Sequence, residues 1–307
     1  MEPIRFEGRV AIVTGAGRGI GRAHARLLAG RGAAVVVNDL GASAAGRGSD
    51  PIPAGRVAAG IRAAGGTALA DASDVSSPLG AAELVGRAIE AYGRIDILVN
   101  NAGFFTPSEF PQADGSDLRR YFDVHVGGSF SVTRECWPHM VRAGYGRIVM
   151  TTSHSILGAA PRLLPYAAAK GGVFALARAL AAAGKPHGVV VNSVAPVAAT
   201  RLAGAEEDEP GTGVVAASPP ELVSPLVMLL CHESCRVTGE TFLAGGRRHA
   251  RLFLAETGGY VHAGSGLTPE AVADHWDQIT DESGHYVPAD TATWLDGNAA
   301  RIAAAPQ

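Results

Sequence analysis

Short, near-continuous apolar runs alternate with longer stretches of helical spacing along most of this chain, and that alternation restricts its fold more than any other feature. "VAIVT" (10–14) precedes "IGRAHARLLAGRG", and "AAVVVND" (33–39) precedes a Gly/Ala/Pro-rich stretch. "AAELVGRAIEAYG" predicts a helix, "IDILVNNAG" a buried strand with its exit turn, and "LRRYFDVHVGGSFSVTRECWPHMVRAG" one long helix. Then follow the strand "GRIVMTTS", the helix "PYAAAKGGVFALARALAAAG", the strand "GVVVNSVAP", an acidic loop near "AEEDEPGTG", the helix "PELVSPLVMLL" and the strand-like "ETFLAG". A strand that is apolar along its whole length is covered on both faces. With helices between such strands, the expected fold is α/β, a doubly wound parallel sheet. Residues 1–245 carry the alternation, and 246–307 are expected to be a C-terminal extension that packs on the core or on a partner subunit. Within it, "TPEAVADHWDQI" predicts an amphipathic helix capped by its threonine.

Composition removes several function classes. A formal net charge of −3, with no long basic stretch, gives no electrostatic reason to expect nucleic acid or an anionic membrane. No apolar run reaches membrane-spanning length, and "MEPIRFEGRVAIVTG" lacks the core of a signal peptide, so a cytoplasmic location is expected. Cys136, Cys231 and Cys235 are too few for a disulfide framework, and "CHESC" lacks a second ligand pair, so no metal site is expected there.

The first strand runs into "TGAGRGIG" (14–21), where Gly15, Gly17, Gly19 and Gly21, with Arg18 and Ile20, form the turn into the first helix. Glycine suits a turn of unusual dihedrals whose backbone must approach a pyrophosphate at a helix N-terminus. Asp39 closes the second strand, 18 residues beyond Gly21, where a carboxylate binds the hydroxyls of an adenosine ribose. A 2′-phosphate would meet that carboxylate as a like charge, which favours NAD over NADP; Arg18 is the counterweight. Asp74 and Val75, after the third strand, are expected near the adenine, and Asn101, Ala102 and Gly103 follow the fourth strand. Asp74 as a helix cap and Asn101 as a turn former are the plainer alternatives.

Only Lys170 and Lys185 among 26 basic residues are lysine. Lys170 lies four residues after Tyr166 on a predicted helix, so the two share a face. A nearby ammonium favours the phenolate and lowers the phenol pKa, which makes the pair a proton donor and acceptor. Ser153 lies 13 residues upstream of Tyr166 at a strand end, placed to hold a substrate oxygen.

Taken in order, T-G-x-x-x-G-x-G, N-N-A-G, Ser153, Y-x-x-x-K and "NSVAP" resemble the short-chain dehydrogenase/reductase family. That resemblance implies Tyr166 as general acid/base, Lys170 as partner of both the phenol and the nicotinamide ribose, and Ser153 as the group that orients a carbonyl or alcohol. It also adds Tyr166, Lys170, Pro196 and Thr200 to the cofactor-binding set and implies a homodimer or homotetramer. An Asn of the family's proton relay is replaced here by His125 in "FDVHVGGSF". "VVVNDLG", "DVHVGGSFSVTRECWPHM", "LLCHESC" and "LTPEAVADHWDQI" are similar to a narrower subgroup, the (3R)-hydroxyacyl-CoA dehydrogenase part of peroxisomal multifunctional enzyme type 2 and its bacterial single-domain relatives. "GAAPRLLP" departs from the polar, Gly-rich stretch of that subgroup and favours a bulkier hydrophobic substrate over an acyl-CoA. The expected activity is NAD-dependent interconversion of a secondary alcohol and a ketone on a small-molecule substrate. A biosynthetic enzyme using bound cofactor for epimerisation, dehydration or rearrangement, and a cofactor-binding regulator, are the alternatives. The loop from Thr200 to Ser218 is expected to close over substrate.

Overall fold

The computed structural model describes residues 3–110, 112–158, 161–200 and 218–304. Most of the acidic loop expected to close over substrate therefore lies outside the described residues. Contacts divide the chain into two compact units, Met1–Arg251 and Leu252–Gln307.

The first unit is built on a sheet of eight strands in the order β3-β2-β1-β4-β5-β6-β7-β8. Its strands are β1 (Val10–Val13), β2 (Ala34–Asn38), β3 (Thr67–Asp71), β4 (Ile97–Asn100), β5 (Gly146–Thr151), β6 (Val189–Val197), β7 (Thr241–Gly245) and β8 (Arg248–Leu252). Neighbours from β3 to β7 pair in parallel, with Val13 beside both Val37 and Val99. The reversal of strand order between β1 and β4 opens a crevice at the carboxyl ends of the strands, where ligands of such sheets bind. β8 was not expected from the sequence. It follows β7 after a two-residue turn in which Gly246 and Arg247 both have positive φ, 54° and 65°, the backbone a tight strand return requires.

Alternate residues of each strand serve opposite layers. Val13, Val35, Val37 and Val99 pack with α1 (Gly19–Gly30) and α2 (Ile52–Ala63), whereas Ile12, Val36, Leu98 and Met150 pack with α3 (Pro78–Tyr92) and the helices after β4. Apolar residues at both parities are thus buried, which is why these strands read as continuous hydrophobic runs.

The stretch expected to be one long helix has three parts: α4 (Gly115–Tyr121), a π-helical turn at Phe122–Gly127 and α5 (Gly128–Ala143). Such turns leave their signature in hydrogen bonds rather than in hydrophobic spacing, so the periodicity passed through it unbroken. The turn carries His125, whose carbonyl accepts a hydrogen bond from Ser129 Oγ at 2.7 Å. α6 (Leu164–Gly184) opens with Pro165 in its first turn, and a short helix, α7 (Ser224–Cys231), ends at the buried Cys231. No helix among the described residues is long and apolar enough to cross a membrane, and no His/Cys/Asp/Glu cluster among them is arranged to hold a metal.

In the second unit, Thr268 caps Pro269–Asp274 as expected, its hydroxyl accepting from Ala271 N at 3.2 Å. The expected helix breaks at His275, however, and resumes as Trp276–Thr280. A longer helix, Thr291–Ala303, is capped by Asp290.

Candidate active site

The crevice between β1 and β4 holds a cavity of about 350 Å³. Its floor is the glycine turn. Gly15 and Gly19 have φ of 63° and 50°, which disfavours any side chain at either position. At Gly21 the constraint is space, since a Cβ there would lie 2.3 Å from Gly15 O and 2.5 Å from Asn101 Nδ2. The turn is held from behind by β4. Asn101 Nδ2 donates to Thr14 O (2.9 Å) and Gly15 O (3.1 Å), while Thr14 Oγ1 accepts from the backbone N–H of both Asn101 and Ala102. The Asn101 side chain is therefore a structural staple, and Asn101, Ala102 and Gly103 all line the cavity.

Asp39 reaches the cavity with both carboxylate oxygens already accepting: Oδ2 from Gly17 N and Oδ1 from Gly41 N, each at 2.7 Å. This pins a negative charge at the end of β2. Arg18, Gly19, Ile20 and Gly21 line the near side, and Thr200 packs over Gly19. Asp74 and Val75 line the far end. Asp74 accepts from Ser76 N (2.9 Å) and Ser76 Oγ (2.7 Å), and the cap of α3 is Ser77 rather than Asp74. Gly17, Pro196, Tyr166 and Lys170 do not line this cavity: Gly17 sits behind it against Asp39, and Pro196 is paired with Ala244 in the sheet. A glycine cradle that a Cβ would fill, facing a fixed carboxylate at the end of the second strand, fits the pyrophosphate and adenosine ribose of a dinucleotide.

Ser153, Tyr166 and Lys170 converge at the carboxyl end of β5. Ser153 is buried, and its hydroxyl accepts from Ser155 N at 3.1 Å. Ser155 Oγ is buried without a partner among the described residues. Lys170 is 4% exposed, donates to Thr151 O at 2.7 Å, and has its ammonium 5.7 Å from the centre of the Tyr166 ring.

The electrostatics differ from expectation in direction. The phenol pKa of Tyr166 is raised, chiefly because burial disfavours the phenolate; the nearby Ser153 hydroxyl opposes that shift and Tyr121 adds to it. Burial likewise pulls the Lys170 ammonium down to about 7. Desolvation thus outweighs the mutual stabilisation expected of the pair, because each charged form is taken out of water before it finds a partner.

His125 adjoins this pair, its ring edge-on to Tyr166 with centroids 5.6 Å apart. Its Nε2 lies 3.1 Å from Phe104 O, and its Nδ1 is buried with no partner among the described residues. Burial, with the nearby Lys170 charge, holds its pKa well below 6.5, so the ring is neutral at physiological pH.

Three features of this region were missed by sequence reasoning. Phe104 stacks on Tyr121 with centroids 4.5 Å apart, and Phe105 meets Tyr166 edge-on at 5.4 Å. The Tyr121 hydroxyl both donates to Thr106 O (2.8 Å) and accepts from Thr106 N (2.7 Å), fixing the segment that carries both phenylalanines. Finally, Leu40, Ala42, Ser43 and Gly46, together with Arg120 from α4, also line the cavity. The available signal was length: the β2–α2 connection is longer than most αβ-fold loops.

Comparison with known proteins agrees with this geometry. Residues 9–210 match the family model described as short chain dehydrogenase. Over 288 residues the chain is 41% identical to the peroxisomal multifunctional enzyme type 2 of Mus musculus, covering 93% of this chain but only 38% of that protein. It is 36% identical to a short-chain type dehydrogenase/reductase of Mycobacterium tuberculosis, covering 91% of this chain and 96% of the relative. The crystal structure of a short chain dehydrogenase from Mycobacterium avium superposes with a TM-score of 0.77 at 35% identity, over 90% of this chain and 97% of that one. A likeness that runs through nearly the whole length of both mycobacterial proteins, on a doubly wound sheet with its tyrosine and lysine beside the crevice, makes this chain an oxidoreductase of the short-chain dehydrogenase family.

Proposed function

We propose that the protein interconverts a secondary alcohol and a ketone with NAD as hydride carrier, on a bulky hydrophobic substrate. The observation that carries this reading is the convergence of Ser153, Tyr166 and Lys170 beside a cleft that ends in a fixed carboxylate. Gly15, Gly19, Gly21 and Asp39 would hold the dinucleotide, and when bound its nicotinamide supplies or accepts the hydride. In the oxidising direction the Tyr166 phenolate takes the hydroxyl proton of the substrate; in reduction the phenol returns it to the developing alkoxide. Ser153, buried at the end of β5 beside Tyr166, donates to the same oxygen and sets its place. The Lys170 Nζ lies 5.7 Å from the centre of the phenol ring, and the neutral His125 supports the tyrosine edge-on without titrating in the physiological range. Phe105 packs edge-on against the Tyr166 ring, and the exposed Leu164 opens α6 two residues before it; these apolar side chains suit a ring or branched chain rather than a charged head group. We include in this reading a homodimer or homotetramer, with Phe122 and Phe130 exposed on the helical stretch after β4 as its contact.

Hydride transfer by the purified protein, followed at 340 nm with NAD and NADP separately, tests the reading. Turnover is expected on bulky secondary alcohols or ketones with NAD preferred; turnover of 3-hydroxyacyl-CoA esters alone would refute the hydrophobic-substrate assignment, and a preference for NADP would refute the role of Asp39. Because Asp39 also accepts from Gly17 and Gly41, Asp39→Ala is expected to weaken NAD binding by roughly 10-fold or more without producing efficient NADP use, since the glycine turn loosens as the charge leaves. Isothermal titration with each cofactor reads both effects.

A further inference from the structure

The connection from β2 to α2 is a folded arch rather than a slack loop. Its neck is shut by Asp50 N donating to Leu40 O at 2.8 Å, and Gly41, with φ of 76°, passes so close that a Cβ would lie 1.8 Å from Asp50 O. An internal turn, with Ser43 N donating to Arg47 O at 2.9 Å and Gly46 N to Ser43 O at 2.8 Å, gives the arch a defined tip. That tip reaches the opposite wall of the cleft. Phe105 N donates to Ala44 O at 3.2 Å, and Arg120 Nη2 donates to Ala45 O and, at 2.7 Å, to Gly46 O. The guanidinium also lies over the Phe104 ring, 4.4 Å from its centre, and a Cβ at Gly46 would come within 2.7 Å of Phe104 Cγ. The inner face of the arch, at Ala42, Ser43 and Gly46, is cavity wall.

We propose that residues 40–50 form a latch across the nucleotide cleft and that Arg120 holds it closed, which makes Arg120 a positioning residue that sets how long a bound cofactor stays. This rests on the reading that the cleft takes a nicotinamide dinucleotide. The arch leaves β2 at Asp39 and returns to α2, and its tip at Ala44–Gly46 meets Phe105 and Arg120 on the opposite wall of the cleft. A ligand beneath it leaves only after two carbonyls part from one guanidinium. Arginine suits the position because Nη2 donates to two successive carbonyls while the flat face of the guanidinium stacks on an aromatic ring; a lysine ammonium has no such face. The same guanidinium packs on Phe104, which stacks on Tyr121 and meets His125, so closing the latch also steadies the wall behind Tyr166.

The test is the dissociation rate of NADH, measured by stopped-flow fluorescence on chasing with excess NAD, in the parent, Arg120→Gln, Arg120→Lys, Gly46→Ala and the exposed neighbour control Arg119→Gln. Arg120→Gln is expected to release NADH roughly 10-fold faster or more, with Arg120→Lys between it and the parent. Gly46→Ala, which disturbs the latch from the loop side, is expected to speed release as well, while Arg119→Gln matches the parent. Melting curves accompany each variant, and a lowered Tm with parent-like release in Arg120→Gln would make the residue merely structural and overturn the proposal. If Arg120→Gln does not fold, parent-like release in both Arg120→Lys and Gly46→Ala overturns it equally. A parent that binds neither NADH nor NADPH would instead overturn the dinucleotide reading and the latch with it, whereas NADH binding with unaltered release in the variants overturns the latch alone.

Discussion

Tyr166→Phe is expected to lower kcat about a thousandfold while leaving the fold and NADH binding intact, because it removes the one hydroxyl positioned to exchange a proton with substrate. The ring contacts with Phe105, Tyr121 and His125 survive the change, and Ser153 keeps its hydrogen bond from Ser155 N, so the loss is chemical rather than structural. The raised phenol pKa adds a pH signature. In alcohol oxidation the base is the phenolate, whose fraction at neutral pH falls as the pKa rises, so kcat/KM of the parent should climb with pH through the neutral range. His125, neutral throughout, should contribute no step near pH 6.5. Steady-state rates from pH 6 to 10, with NADH titration of the variant, check both statements; a variant within tenfold of the parent would remove Tyr166 from the proton-transfer role.

Lys170→Met is expected to separate activity from stability. The variant should lose kcat by roughly a hundredfold or more, since no cation remains to favour the phenolate. It should also melt higher than the cofactor-free parent, by roughly 5 °C at pH 7, because methionine fills the same buried space without an ammonium to desolvate. The sign follows from the pKa. With the folded value near 7 and the unfolded value near 10.5, the unfolded chain binds the proton more readily between those limits, so parent stability rises with pH across that window. The whole cost of the buried charge is present below pH 7 and gone above about 10.5, so the advantage of Met should be largest at pH 7 and below and shrink towards pH 10. Losing the Lys170 hydrogen bond to Thr151 O offsets part of the gain. Differential scanning calorimetry at pH 6.5 and 9.5 decides the matter, and a variant less stable than the parent at both would show that this hydrogen bond outweighs the desolvation.

The sequence by itself determined the parallel part of the sheet, the glycine turn and the choice of Ser153, Tyr166, Lys170 and Asp39 as the residues to place, but not β8. Those signals are local: strands buried on both faces must be apolar throughout, a backbone approached within 3 Å must be glycine, and Tyr and Lys four residues apart on a helix must share a face. Only the tertiary structure decided that Asn101 serves as a staple, that His125 sits on a π-helical turn against the Tyr166 ring, and that Arg120 ties the β2–α2 arch to the far wall. Each of those joins residues from separate elements, 74 positions apart for Arg120 and Gly46 and 87 for Asn101 and Thr14. The direction of the Tyr166 and Lys170 shifts belongs to the same class, because desolvation depends on everything packed around a group, and no spacing rule along the chain carries that information.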